Sequence, residues 1–380
     1  MTDEQIELIR MRLAARGGDL SPEAIAGVAR DLGLVVSDAL VLYALERLRR
    51  TSVGAGVLEP LLHLPGVTDV LVNGPHAIYV DRGRGLELTD VTFASDAEVR
   101  GLAARLAASV GRRIDDASPC VDARLPDGTR LHAILSVLAD PGTCLSLRVP
   151  ARQAVTLDRW VATGSLHPDL DPVLRAIVAR RRAYLISGGT GSGKTTLLSA
   201  MLSLVPASER LVICEDSREL APEHPHCIRL ESRRSNAEGA GAIDLTVLVR
   251  QALRMRPDRL IVGEVRGAEL CDLLAALNTG HEGGCGTIHA NSVGDVPARL
   301  EALAALGGMD RATTHAQAAA AIDLVIHVAR RSDGSRRVSQ LGLVRRHDSG
   351  VIRIDEAASV DAGGRLERGP AWSGLEGLVP

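Results

Sequence analysis

Apolar residues recur along this chain with two periods, and the changes between them divide it into segments. Residues 1–52 carry helical spacing. There "SPEAIAGVARDLG" places Ser21 as an N-cap before Pro22 at the first helical position, and "SDALVLYALERLRR" repeats the cap at Ser37. A short helical lead-in is expected. From 53 to 149 the pattern shortens to the runs "DVLVNG", "AIYVDRG", "LELTDVTF" and "CLSLRV", broken by turn residues around one helix, "DAEVRGLAARLAASVG". This predicts a small α+β domain. A Pro-containing linker, 150–172, leads to residues 173–360, where the apolar strands "AYLISG", "RLVICE", "RLIVGE" and "GTIHA" alternate with helices. That alternation predicts an α/β domain with a mostly parallel sheet. Past about 320, "DLVIHVAR", "RRVSQLGLV" and "GVIRID" read as a closing antiparallel meander, and the Gly-rich residues 361–380 as a frayed tail.

Composition narrows the function classes. A formal net charge of −3 gives no general pull toward nucleic acid or anionic lipid, and 2% aromatics with one Phe make a poor base-stacking platform. Nucleic acid is therefore not an expected partner. The six cysteines (Cys120, Cys144, Cys214, Cys227, Cys271, Cys285) include no C-x-x-C pair and read as reduced, mostly buried hydrophobes. The start, "MTDEQIELIR", is acidic and amphipathic rather than a secretory signal, and no run reaches the ~20 apolar residues of a membrane span. A cytoplasmic location is expected, with membrane contact only through a partner.

Where "AYLISG" ends, Gly188–Thr195 read G-G-T-G-S-G-K-T, a full match to G-x-x-x-x-G-K-[ST]. "TTLLSAMLSLV" follows, with Leu197, Leu198, Met201 and Leu202 at helical spacing before Pro206. Strand, Gly-rich loop and helix thus come in the order a phosphate cradle needs. The glycines let backbone N–H groups turn inward around a polyphosphate, with the positive end of the helix dipole behind them. Gly188, Gly189, Thr190, Gly191, Ser192, Gly193, Lys194, Thr195 and Thr196 are the expected nucleotide-binding residues. Lys194 is the only lysine in a chain whose Lys+Arg total is 44. Its compact charge on a thin stem can reach the β- and γ-phosphates, whereas a planar guanidinium is too wide for that slot. Thr195 would offer its hydroxyl to Mg²⁺, so ATP and Mg²⁺ are the expected ligands.

In open parallel sheets, ligands bind beyond the carboxyl ends of the strands. Polar residues gather there: "RLVICED" ends in Glu215 and Asp216, "RLIVGE" in Glu264, and "GTIHAN" in His289 and Asn291. Carboxylates near Mg²⁺ and a γ-phosphate can hold metal-bound water or orient the attacking water. Glu264 and Glu215 are the candidate catalytic carboxylates, Glu215 is also a candidate metal ligand beside Thr195, and His289 is a candidate γ-phosphate contact. His281, in "NTGHEGG", has two readings, nucleotide contact or cap of the helix ending at Gly280. His224, His226 and the remaining histidines are assigned to surface or packing roles.

Taken together, these residues resemble the type II/IV secretion and pilus-assembly ATPase family, and within it the Tad/Flp pilus branch with its CpaF-like proteins. The resemblance rests on "GGTGSGKTT", the acidic box "RLVICEDSREL", the Walker B region "ALRMRPDRLIVGEVRGAE" and the histidine box "NTGHEGGCGTIHANS". "RLESRRSNAEGAG", "VTDVLVNGPHAIYV" and "VDARLPDGTRLHAI" extend it over about residues 53–330. Position 263 is Gly where ordinary P-loop enzymes carry a Walker B Asp, and "GGCGTIH" puts Cys285 and small residues where relatives often have Ser, Leu and Thr. The resemblance implies a ring-shaped homohexamer whose subunits have a PAS-like amino-terminal domain and a RecA-like P-loop NTPase domain, with ATP between them. Hydrolysis would swing one domain against the other and pass force to an inner-membrane platform protein. It also implies arginines near the phosphates, for which Arg148 and Arg254 are the first candidates and Arg124, Arg130, Arg229 and Arg233 the others. Two further readings stand beside this motor: a DNA-translocating ATPase for conjugative transfer, and a nucleotide-gated scaffold with little turnover.

Overall fold

The computed structural model describes residues 3–15, 21–52, 54–83, 85–150, 155–233, 241–331 and 333–378. They form two compact units, Met1–Ala151 and Arg152–Pro380.

Helices α1 (Asp3–Ala15), α2 (Pro22–Asp31) and α3 (Asp38–Ser52) open the first unit. As their pattern predicts, the Ser21 hydroxyl caps α2 by accepting from the Ala24 amide, and Ser37 caps α3 through the Leu40 amide, both at 3.2 Å. Ile9, Leu13, Ile25 and Val28 give these helices a core of their own. A single-turn helix, α4 (Glu59–Leu62), then precedes β1 (Asp69–Asn73), β2 (Ile78–Asp81), β3 (Leu86–Leu88), α5 (Asp96–Ala108), β4 (Cys120–Arg124), β5 (Arg130–Ile134) and β6 (Cys144–Arg148). The six strands make an antiparallel sheet in the order β3-β2-β1-β6-β5-β4. Alternate residues Val70, Val72, Val80, Leu131, Leu145 and Leu147 form its buried face with Leu102 and Leu106 of α5. On the other face Arg148 pairs across the strands with Arg130, and Arg130 with Arg124.

The second unit runs α6 (Leu157–Ala162), α7 (Asp171–Ala179), β7 (Tyr184–Ser187), α8 (Lys194–Leu202), β8 (Leu211–Glu215), β9 (Cys227–Glu231), α9 (Leu245–Ala252), β10 (Arg259–Val265), α10 (Glu269–Leu277), β11 (Cys285–Ile288), α11 (Val296–Leu306) and α12 (Arg311–Ala321). It closes with β12 (Leu324–Arg330), β13 (Arg336–Arg346), β14 (Ile352–Val360), β15 (Leu366–Arg368) and α13 (Trp372–Glu376). The sheet order is β15-β14-β13-β12-β7-β11-β10-β8-β9. Strands β12 through β9 in that order are parallel, while β13, β14 and β15 add an antiparallel meander. The central strands read as continuous apolar runs because both faces are covered. Leu197, Leu198 and Met201 of α8 pack on one face with Tyr184 and Ile186, and helices α9–α12 cover the other around Leu185, Val212 and Val262.

Three expectations are corrected here. The stretch expected as a linker buries Leu157, Trp160, Leu166 and Leu170 in the second unit's core, because α6 and α7 carry apolar positions that its prolines obscured. The tail expected to fray forms β15 and α13, anchored by Leu375 at 0% and Leu378 at 6% exposure. All six cysteines are free, but only Cys214 and Cys285 are buried, since Cys120 is exposed at the edge of the first sheet. Strand β9 also went unread, because it is short and none of its residues is fully buried, although Ile228 and Leu230 alternate with Arg229 and Glu231.

Candidate functional site

The Gly-rich loop is shaped by contacts that only glycine permits. At Gly188, where φ is +153°, a Cβ would lie 2.3 Å from the Val328 carbonyl oxygen of β12. Gly191 and Gly193 have φ of +69° and +99°, in the left-handed region open to glycine. The amides of the first turn of α8 have no acceptor within the helix and stand at the loop's mouth. Lys194, 7% exposed, lays its stem along the loop, and Nζ donates to the carbonyl oxygens of Gly188 at 3.0 Å and Gly189 at 2.8 Å. Burial pushes its pKa down, the Glu264 carboxylate opposes that, and the Arg266 guanidinium adds to it. Thr195 follows in the first helical turn, and the buried Ser192 Oγ has no hydrogen-bond partner among the described residues.

Two carboxylates arrive from neighbouring strand ends. Glu215, 3% exposed at the end of β8, accepts the Glu219 and Leu220 amides on Oε1 at 2.8 and 2.9 Å, while its buried Oε2 has no partner among the described residues. Burial raises its pKa against the pull of those two amides and of Arg229. A buried acceptor without a donor suits a divalent cation or a water bound to one, so Glu215 and Thr195 fit the Mg²⁺ role. Gly263 on adjacent β10 explains how Glu215 is accommodated: a Cβ there would lie 2.5 Å from Glu215 Cγ and 3.1 Å from its Oε1. The β8 glutamate thus fills the space in which a β10 side chain would begin.

The pairing of β10 with β11 shifts register between Val262 and Val265, and Thr287 Oγ1 donates to the Gly263 carbonyl at 2.7 Å. Such a bulge re-aims the residue that follows, here Glu264. Its Oε1 lies 2.7 Å from His289 Nε2 and its Oε2 2.5 Å from Arg266 Nη2. Burial works to raise the Glu264 pKa, but Arg266, His289 and Lys194 together hold it below the usual carboxylate range. His289 is pushed below the ordinary 6.5 by burial and by the Lys194 cation, with Glu264 opposing, and is therefore neutral at pH 7.

The second unit thus brings the loop, Lys194, Thr195, Glu215, Glu264 and His289 to one edge of its sheet. Arg229, on β9, acts electrostatically on Glu215. Two other candidates in the second unit, His281 and Arg254, lie elsewhere. His281 Nδ1 is 3.3 Å from the Ala276 carbonyl oxygen, which supports its capping role at the end of α10 and not a place at the loop. Arg254 is exposed in the turn Leu253–Met255. Both residues precede the strand they lead into, so they sit a strand length, at roughly 3.3 Å per residue, from the edge that holds the loop. Arg233 donates to the Gly241 carbonyl at 2.8 Å, while Arg148, Arg124 and Arg130 belong to the first unit's sheet. His226 bonds Arg210 and His224 the Pro206 carbonyl, as assigned to packing.

Three residues escaped the sequence reading. Arg266, two positions after Glu264, holds that carboxylate. His327, buried on β12, lies 2.9 Å from the hydroxyl of Ser187, the last residue of β7 before the loop. Arg336 donates from Nε to the Gly191 carbonyl at 3.2 Å. Only His327 left a signal, as a lone polar residue inside "DLVIHVAR".

Known proteins resemble this chain in sequence and fold. The family model described as type II/IV secretion system protein matches residues 51–364. A putative conjugal transfer protein of Mycobacterium tuberculosis is 52% identical over 326 residues, which cover 84% of this chain and 93% of that one. The type IV secretion system protein PtlH homolog of Bordetella bronchiseptica is 32% identical over 311 residues, covering 74% and 91%. The solved structure of the Legionella pneumophila ATPase DotB matches 77% of this chain and 80% of its own at a TM-score of 0.52 and 20% identity, a likeness of fold.

Proposed function

The chain belongs to the type II/IV secretion system protein family, and from that premise we propose that it is the Mg²⁺-dependent, hexameric motor of a Tad/Flp-type pilus or a related secretion machine. Its fold is a RecA-like ATPase domain with an amino-terminal domain, and its activity is that of an ATPase. The observation that carries the reading is the meeting of Lys194 with Glu264 and His289 at the mouth of one Gly-rich loop.

The residues divide the work of phosphoryl transfer to water. Loop amides and the Lys194 ammonium neutralise the β- and γ-phosphates as charge shifts toward the leaving group. Lys194 reaches them by exchanging its bonds to the Gly188 and Gly189 carbonyls for phosphate oxygens. Thr195 and Glu215 would hold Mg²⁺, which supplies Lewis-acid charge at the phosphate oxygens. Glu264, kept ionised, orients the attacking water and takes its proton, and neutral His289 fixes the carboxylate through its Nε2 hydrogen bond. Subunits closing into a ring and passing force to an inner-membrane platform protein complete the proposal.

Steady-state ATPase assays with nucleotide-binding measurements test it. Lys194→Ala is expected to lose binding and turnover together. Glu264→Gln should keep ATP affinity while turnover falls about 10²-fold or more. Full turnover in Glu264→Gln would remove its assigned role. The conjugal-transfer name of the 52%-identical relative favours a second reading, a motor for DNA transfer. A rise in ATPase rate on adding DNA, lost at high salt, would select it. Single-turnover hydrolysis too slow to support cycling would select the nucleotide-gated scaffold.

A further inference from the structure

Arg266 joins a fixed backbone to an exposed side chain. It follows β10 at the sheet edge, and its own amide and that of Gly267 both donate to Oε1 of the buried Glu269, at 2.6 and 2.8 Å. The backbone is held on both sides. Its side chain is 59% exposed, and Nη2 donates to Glu264 Oε2 at 2.5 Å. That bond first, then the charges of Asp216 and Glu219 beyond the end of β8, raise the Arg266 pKa. Besides burial, the Arg266 charge pushes the Lys194 pKa down, so the guanidinium stands within electrostatic reach of the amine that meets the phosphates. Both oxygens of Glu264 are bonded, Oε1 to His289 and Oε2 to Arg266.

The Arg266 bond conflicts with the work assigned to Glu264. As the water oxygen attacks the γ-phosphorus and ADP leaves, the water proton passes to Glu264, which loses its charge. A guanidinium on that carboxylate favours its ionised form over its protonated one and so opposes the step. A partner that draws Arg266 away in the substrate complex removes the conflict. The γ-phosphate meets that need: it carries more negative charge than a carboxylate, its oxygens match the guanidinium fork, and it lies at Lys194. An ion pair as exposed as Arg266–Glu264 costs little to exchange. We propose that Arg266 is a γ-phosphate-binding residue: in the ATP complex its guanidinium leaves Glu264 for the γ-phosphate oxygens, neutralising them and freeing Glu264 Oε2 to take the water proton. The proposal rests on the ATPase reading and adds to it a residue of the same chain that tells ATP from ADP.

The test is calorimetric titration of the full chain, with Mg²⁺, using ADP and the non-hydrolysable imido analogue of ATP, together with steady-state turnover. Arg266→Ala is expected to weaken the ATP analogue about tenfold, equivalent to about 1.4 kcal/mol, to leave ADP within about twofold and to lower kcat. Unchanged ADP binding also shows that the loop has kept its shape. The same loss should persist when Arg266→Ala is made in the Glu264→Gln chain. If it vanishes there, Arg266 acts only by neutralising Glu264, and the proposal fails. A residue that merely positions Glu264 would lower kcat and leave both affinities alone. That result, or equal losses for the two nucleotides, would overturn the proposal while the ATPase reading stands. Absence of Mg²⁺-dependent binding of either nucleotide to the unsubstituted chain would overturn both.

Discussion

A missing side chain at Gly263 makes room for a carboxylate from the next strand, so the atypical Walker B position has a steric cause. Gly263→Ala should force Glu215 to move and cost about 1–3 kcal/mol of stability, as overpacked cores do, with a fall in turnover. Gly263→Asp, which restores the ordinary Walker B residue, should be worse unless Glu215 is also shortened. Thermal melts and ATPase rates on these variants check both. The Glu264–His289 pair sets the pH response. A carboxyl with a depressed pKa contributes its full stability above its unfolded value, and that contribution is lost progressively as pH falls from there through the folded value. Neutral His289 takes up its proton only below 6.5. Turnover should therefore be flat from pH 8 to about 6.5 and decline on the acid side. A maximum at lower pH would show that the charged imidazole is the active form. At this scale the motif residues were legible because they stand in a fixed frame of glycines around the chain's single lysine. Arg266 and Arg336 were not, since in a chain with a single lysine another arginine carries no signal by its type.

The bulge in β10 does at the level of an element what no single residue does, turning Glu264 toward the loop while the strand continues into the core. Thr287 pins it with a buried hydroxyl, so Thr287→Val should cost about 1–2 kcal/mol and lower kcat with little change in ATP affinity. A KM that rises with kcat unchanged would instead mean that the bulge shapes binding. Neighbouring elements show where pattern reading succeeds. Strands β7, β8, β10 and β11 announced themselves as apolar runs because both their faces are covered. The bulge itself leaves no mark in the sequence, since an extra residue changes register between strands and not composition along one. Likewise α6 and α13 hide in Pro- and Gly-containing segments, where a few buried residues such as Trp160 and Leu375 outweigh the breakers around them.

Across the whole molecule, the described apolar residues pack into four cores, two of them on opposite faces of the second unit's sheet. The lead-in helices pack around Ile9 and Ile25, the first sheet around Val70 and Leu147, and the second unit around its nine strands. The family model's match begins at residue 51, so the lead-in lies outside the residues it covers. A chain starting at residue 54 should keep its affinity for ATP within about twofold, because the loop's contacts lie in the second unit. A larger loss on titration would tie the lead-in to the nucleotide. The two-domain division was legible from the change of period, but its boundary was blurred because the helices after it carry the same apolar spacing as the domain they join.

Lys194 is the one side-chain primary amine in 380 residues, and it sits 7% exposed in the nucleotide loop. Acylating reagents, acetyl donors and isopeptide-forming enzymes that seek such amines find a single internal address in this protein. On the ATPase reading, an adduct there abolishes turnover and bound nucleotide shields the amine. A mass shift mapped to the Lys194 peptide, apart from any on the chain's α-amine, then counts unprotected sites.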